Sequence, residues 1–261
     1  PHSLVDRILG LRQVPANIAM LRVTGAAAAG WIGEGAPRQI GQFSFERETL
    51  LYDKLACTTV VTNELLHASG AIAEMVFAHE LARGVAQFSD KAFIDPAFAA
   101  IPGVRPASIS YGLTAISSSG ATLAAVQADL KALFANFVAV DGALERAMLI
   151  MAPRTALALG MLTGSGGAPA FPNIGPRGGT LLGVPVVTSS ACIADGSPSD
   201  AFAVLFDPAQ IMIADDADVG VKVARHAAVQ MNTAPDTGAQ QLVSLWQNDL
   251  TALSVERSIT W

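Results

Sequence analysis

Hydrophobic positions along this chain first alternate and later recur every three or four residues, and the change of period divides it. Pro15 interrupts any long helix in the opening stretch, and Ile18, Met20 and Arg22 then mark the start of a strand. Residues 1–23 are read as an extended arm. Phe43, Phe45, Arg47, Thr49 and Leu51 alternate with Ser44, Glu46, Glu48 and Leu50, the period of a strand, and Leu55 to Val61 continues in β-branched residues. Between the two strands, Gly25 to Gln42 holds five glycines and one proline among small residues, too little apolar bulk for a core. This predicts a long loop projecting from a two-stranded excursion.

Further on the period lengthens. Ser69 is placed to cap a helix from about Ala71 to Ile94, along which Ala78, Leu81, Val85, Phe88 and Ala92 share one face and Glu80, Arg83, Gln87 and Asp90 another. Such a rod would be roughly 36 Å long. Asp95-Pro96 and the run from Pro102 to Pro106 end it as a linker, and a second unit is expected from near Tyr111. That unit reads as a helix from Ala121 to Ala139, striped by Leu123, Val126, Leu130, Leu133 and Phe137, then a buried strand from Ala147 to Met151. After Pro153 come a short helix, a glycine-rich loop from Gly164 to Gly179, and apolar runs at Leu181 to Thr188, Phe202 to Phe206 and Ile211 to Ala214. Val219, Val221 and Val223 alternate again. Leu242 to Trp261 is strand-like and is expected to return to the sheet left near residue 110.

Composition changes the picture in one respect. The chain is 51% hydrophobic and only 15% charged, with a mean hydropathy of +0.43, which leaves little charge to cover a monomer. The richest apolar stretch, Ala147 to Leu162, is cut by Pro153 and Arg154, so no membrane span is expected. The surplus apolar surface is assigned to contacts between subunits. Net charge is −6, and the four lysines (Lys54, Lys91, Lys131, Lys222) are scattered, which argues against a nucleic-acid-binding patch. Cys57 and Cys192 lack CxxC spacing, so neither zinc nor a disulfide framework is indicated. The chain opens at Pro1, from which processing or truncation of a longer chain is expected.

Catalytic templates find no match. Gly164-Ser165-Gly166-Gly167 lacks the Lys-Ser/Thr of a phosphate loop and reads as a surface loop. His2, His67, His79 and His226 never pair at metal-ligand spacing, and His79 is expected as a partly buried packing residue. Asp215, Asp216 and Asp218 with Gly220 faintly suggest a calcium loop, but the chelating glutamate is missing and a charged hairpin turn is the better reading. No catalytic residue, metal ligand or cofactor is therefore expected. Glu34 and Arg38 are the charges of an otherwise neutral loop, and the sharper reading pairs them with a neighbouring subunit.

Several strings carry a resemblance. Trp31-Ile32-Gly33-Glu34-Gly35 before a Phe-rich strand resembles the E-loop of the tailed-phage major capsid proteins, the Hong Kong 97 type. Thr62-Asn63-Glu64-Leu65-Leu66 resembles the start of that family's spine helix, and Met151-Ala152-Pro153-Arg154-Thr155 the strand-to-helix turn of its axial domain. Leu181 to Val187, Leu205-Phe206-Asp207 with Ile211 to Ala214, and Glu256-Arg257 follow in the family's order.

The resemblance covers most of the chain and implies an α+β fold of that type. It is divided here into an N-terminal arm (1–23), an E-loop hairpin (24–53), a peripheral domain of spine helix and sheet (54–110 and 210–245) and an axial α/β domain (111–209 and 246–261). It implies a structural protein that assembles as pentamers and hexamers into an icosahedral head around double-stranded DNA, in the virion and, during assembly, in the bacterial cytoplasm. Portal, scaffold and maturation protease would be its partners, with Trp31, Glu34 and Arg38 as candidate intersubunit contacts. Sequence-specific nucleic-acid binding and membrane association are not expected. An encapsulin-like nanocompartment shell and a soluble enzyme are the alternatives. Some members of the family join subunits by an isopeptide bond from an E-loop lysine to a neighbour's asparagine. Gly25 to Gln42 contains no lysine, and Arg38 stands where the reactive one would align, so no cross-link is expected.

Overall fold

A computed structural model of the 261-residue chain describes residues 3–25, 30–35, 37, 40, 44–140, 142–164, 166–193, 200–216, 220–232 and 242–261, with the backbone alone for 22–25, 48 and 69–74. Leu4, Val5 and Ile8 are spaced so that one helical turn points all three inward, and α1 (Leu4–Arg7) is that turn, closed by a capping box at Ser3. The three side chains are buried in a core with Phe93, Ile94, Ile150 and Phe206. β1 (Arg12–Gln13) pairs parallel with Met212–Ile213. Residues 3–14 are thus docked on their own subunit, and the expected arm is a folded segment there. β2 (Ala19–Gly25) and β3 (Ser44–Thr49) form the excursion, an antiparallel pair closed at its base where the Asn17 N–H donates to Leu50 O at 2.8 Å. Its first strand begins at Ala19, as the Ile18-Met20-Arg22 alternation predicted, so the hairpin starts ahead of the boundary drawn at residue 24.

β4 (Lys54–Thr62) runs straight into α2 (Asn63–Ile94), a helix of 32 residues, about 48 Å at the usual rise. It starts eight residues before the expected Ala71, at the Thr62-Asn63-Glu64 string. The Thr62 hydroxyl accepts the Leu65 N–H at 3.3 Å, and the Asn63 side chain donates to Asp249 at 2.6 Å. These anchors outweigh the roughly 1 kcal/mol that Gly70 costs inside a helix, and Ser69, expected as the cap, lies within α2. Leu81 and Val85 are buried against Val61, Leu253 and Val255, as the stripe predicted. Phe88 is not on it: the buried ridge steps by four from Leu81 through Val85 to Ser89, leaving Phe88 47% exposed and edge-on to Phe98 at 5.9 Å. His79, expected as a packing residue, is exposed.

The second unit follows the predicted order. α3 (Leu123–Ala139) is capped by Thr122 and turns Leu123, Val126, Leu130, Leu133 and Phe137 toward a core. β5 (Met148–Met151), α4 (Pro153–Met161), β6 (Ile174–Gly175), β7 (Gly178–Leu181), β8 (Val184–Thr188) and β9 (Ala203–Phe206) complete it, with strand order β6-β7-β8-β5-β9. β5 pairs parallel with β8 and antiparallel with β9. All four β5 residues are buried, and strand alternation sends Leu149 and Met151 into the core under α3 and α4 but Met148 and Ile150 into the core with α1. The later part of the glycine-rich stretch is β6 and β7 rather than loop. A Cβ on Gly179 (φ +140) would lie 2.0 Å from Asn173 O, which only glycine avoids.

A short 3-10 turn at Pro208–Gln210 leads to β10 (Met212–Asp215), β11 (Gly220–Ala224), β12 (Ala228–Gln230), β13 (Leu242–Ser244) and β14 (Leu250–Thr260). β12 and β13 pair only with each other among the described residues. β14 is the middle of the first sheet, with β4 on one side and β10 and β11 on the other. Two expectations change here. Residues 250–260 return, as the strand pattern predicted, to the sheet left near residue 110 and pair with β4 and β11, so they do not belong with the axial unit (148–206) into which 246–261 were divided; Ala252, Val255 and their neighbours match the β-branched run of β4 across nine register pairs. And β10 and β11 follow one another along the same strand of β14, so Asp215 to Gly220 does not join a hairpin; Asp218 itself lies outside the described residues.

Candidate assembly surfaces

Ion pairs in this chain concentrate where α1 meets the first sheet. Arg257, only 7% exposed, donates from Nε and Nη2 to the two oxygens of Asp215 at 3.2 and 2.5 Å, and Nη2 lies 3.5 Å from Asp6. Burial opposes its charge, but Asp215 and Asp6 more than restore it, so the guanidinium titrates above its ordinary value. Asp90 on α2 accepts the Leu4 N–H at 2.6 Å, and Arg7 Nη1 donates to Thr188 O on β8 at 2.8 Å. The N-terminal turn therefore ties α2, the first sheet and the second sheet together. Sequence reading missed this cluster, since Asp90 fits the polar face of a helix as well as it fits a buried bond.

Burial pushes the Asp90 carboxyl up to about 6 from 3.8. The folded chain holds that proton more tightly than the unfolded one, so the stabilisation is complete below about pH 3.8 and is lost as pH rises through 6. Asp90→Asn keeps the acceptor for Leu4 and removes the charge. It is expected to stabilise the subunit by ~1–2 kcal/mol at pH 7.5, discounted for partial exposure, with a smaller gain at pH 4.5. Thermal melts at the two pH values check this.

Against this packed region the hairpin is bare. β2 and β3 touch no third strand among the described residues. Leu21 is 72% exposed, Phe45 57%, Ile40 92%, and Trp31 is fully exposed. Glu34 is also exposed. Arg38, the third of the predicted contact residues, lies outside the described residues. Exposed apolar side chains recur elsewhere, at Met75, Met161, Leu182 and Trp246, each at least 70% exposed.

Concave chemistry is slight. A cavity of about 50 Å³ is lined by Leu55, Phe88, Val104, Ile259, Trp261 and the unpartnered Ser89 hydroxyl, far below the few hundred Å³ of a substrate pocket. Among the described residues no three His, Cys, Asp or Glu side chains could share a metal ion, and no helix is long and apolar enough to cross a membrane. Burial pushes the Cys192 thiol up to about 12, which leaves it unreactive.

Comparison with known proteins identifies what such a surface belongs to. Residues 6–238 match the model of the phage capsid family. The whole chain is 37% identical to the capsid polyprotein of Pseudomonas phage PAJU2, and spans 40% of that relative's length. A solved chain of Mycobacterium phage Bobi superposes with a TM-score of 0.66 at 15% identity, covering 96% of this chain and 81% of that one. The capsid of an empty GTA particle computed with C5 symmetry superposes with a TM-score of 0.60 at 18% identity, covering 96% and 84%. These two share the fold, the Hong Kong 97 type that the spine helix and E-loop strings had implied. A family match over most of the chain, a relative more than one-third identical throughout, and a surface bare where an assembly would cover it lead to one statement: this chain belongs to the phage capsid family.

Proposed function

We propose that the chain is the shell-forming part of a phage head, assembling with its own copies as pentamers and hexamers into an icosahedral particle around double-stranded DNA. The observation that carries this is the β2–β3 hairpin. A lone two-stranded sheet is marginal in water, and this one leaves Leu21, Phe45 and Trp31 uncovered. A neighbouring subunit under the hairpin supplies the missing burial. Trp31, Glu34 and Arg38 are the intersubunit contacts in this reading, with Glu34 and Arg38 bonding across the boundary.

The peripheral domain in this proposal is α2 with the sheet of β4, β10, β11 and β14, and the axial domain is the sheet of β5 to β9 with α3 and α4. Portal, scaffold and maturation protease are its partners. Assembly rather than catalysis is the function. The nanocompartment alternative is not favoured, since the family model and the curated relative are those of phage capsids. Electron microscopy of the expressed chain tests the proposal: closed shells with fivefold and sixfold clusters are expected, and a stable monomer that turns over a small substrate would overturn it.

The shells are expected to lack covalent cross-links, because no lysine lies between Gly25 and Gln42 and an arginine does not lose the proton that attack requires. Boiling particles in detergent should give one band at the monomer mass of 26.9 kDa. A ladder resistant to reductant would refute this.

A further inference from the structure

We infer that the segment from Tyr111 to Gly120, which pairs with no strand of its own subunit among the described residues, adds as a strand to a sheet edge of a second copy of this chain. The inference rests on the assembly reading above and goes beyond it by naming a surface and its mode of contact.

The segment links the end of the α2 region to the start of α3, and every residue from Tyr111 to Thr122 is exposed. Its two ends are fixed. Ser110 Oγ donates to Ile94 O, the last carbonyl of α2, at 2.5 Å, and the Leu113 N–H reaches Ser110 O at 3.3 Å. At the far end the Ser119 N–H and hydroxyl both donate to the Asp129 carboxylate, at 2.9 and 2.6 Å. From Thr114 to Ser117, by contrast, no backbone N–H or C=O has a partner among the described residues. The chain is anchored at both ends, and the residues between the anchors are exposed.

Three features select the occupant. The segment lies within an uncharged run from Pro106 to Ala128. In a chain of net charge −6, two copies repel over most of their surface, and an uncharged strip is where main chains approach without stripping water from ions. Tyr111, Leu113 and Ile116 are 50%, 66% and 40% exposed and gain burial from any chain laid alongside. Nothing in the segment guards it as an edge: between Tyr111 and Gly120 there is no lysine, proline or inward charge of the kind that keeps exposed strands apart. A second copy also holds matching acceptors. β4 and β9 each stand at the border of their sheet, and an extended, unpaired backbone is what completes such an edge.

Hydrogen exchange on assembled shells and on subunits dissociated from them tests the inference directly. Amides from Thr114 to Ser118 are expected to exchange freely in the subunit and to slow by on the order of tenfold or more in the shell. Equal rates in both would overturn the inference and leave the assembly reading standing. A chain that forms no multi-copy particle would overturn both. Protection that appears only when another phage protein is added would overturn the assignment to a second copy. Ala115→Pro removes an N–H that has no partner among the described residues and that a paired strand would need. It is expected to leave the subunit's melting temperature unchanged and to cut shell yield about tenfold or more, whereas full yield would count against strand pairing. Should the variant fail to fold, the exchange measurement on the unaltered chain decides.

Discussion

Arg257→Ala is expected to destabilise the subunit by about 3–5 kcal/mol, the usual cost of removing one partner from a buried ion pair. The guanidinium is 7% exposed and serves two carboxylates, Asp215 through a bidentate pair and Asp6 at 3.5 Å. Asp90, beside them, also feels its charge. Without the arginine, three acids are left facing one another, with Asp215 only 16% exposed. Because Asp6 belongs to α1, the loss should first show as release of the N-terminal turn, ahead of the main unfolding step. Denaturant titration of the subunit measures the total, and faster exchange of the amides from Leu4 to Ile8 locates it. Arg257→Lys should recover only part of the loss, since an ammonium cannot meet both Asp215 oxygens in parallel. A variant with unchanged midpoint would mean that the cluster contributes nothing to stability.

Val85→Asp should be comparably severe, costing several kcal/mol by placing a charge where no partner exists. Val85 is 3% exposed and faces Leu253 and Val255 of β14. The contrast with Phe88 makes the test specific. Phe88 belongs to the same sequence stripe, but 47% of it is exposed, so Phe88→Asp should cost far less. Thermal melts of both variants decide it: equal losses would show that α2 packs on a different ridge.

The comparison of those two residues also marks how far the sequence was readable. Periodicity found α2 and α3 because each presents a regular apolar face to one neighbour, β5 as a short apolar run buried on both faces, and the hairpin strands by their alternation. It misjudged the start of α2, where Ser69 looked like the cap and the true anchors are Thr62 to Leu65 and Asn63 to Asp249, the latter in the turn before β14, 186 positions away. It missed the docking of α1, since Leu4, Val5 and Ile8 form too short a pattern to stand out. It returned β14 to the sheet left near residue 110, where it does pair with β4, but the domain division set 246–261 in the axial unit, because alternation reports that a residue pairs and not with whom. The assembly surface was legible in bulk, as too few charges for so much apolar side chain, and in the glycine-rich loop. The Asp6–Asp90–Asp215–Arg257 cluster was not: its members come from four elements that only the fold assembles.

The placement of β14 has a consequence in time. Thr251 of β14 bonds to Asn63 at the head of α2, 188 positions earlier, and β14 alone joins β4 to β10 and β11. As the polypeptide leaves the ribosome, β4 and α2 emerge long before the strand that completes their sheet. Until then the inner face of α2 has no floor, and closing so large a loop is an entropic barrier that local helices cannot lower. The second sheet, whose strands all lie within residues 148–206, can settle earlier. Synthesis therefore sets an order: the second sheet first, the first sheet last. A nascent chain shorter than about residue 250 presents no finished platform for another subunit, which delays association until translation has passed the shared middle strand.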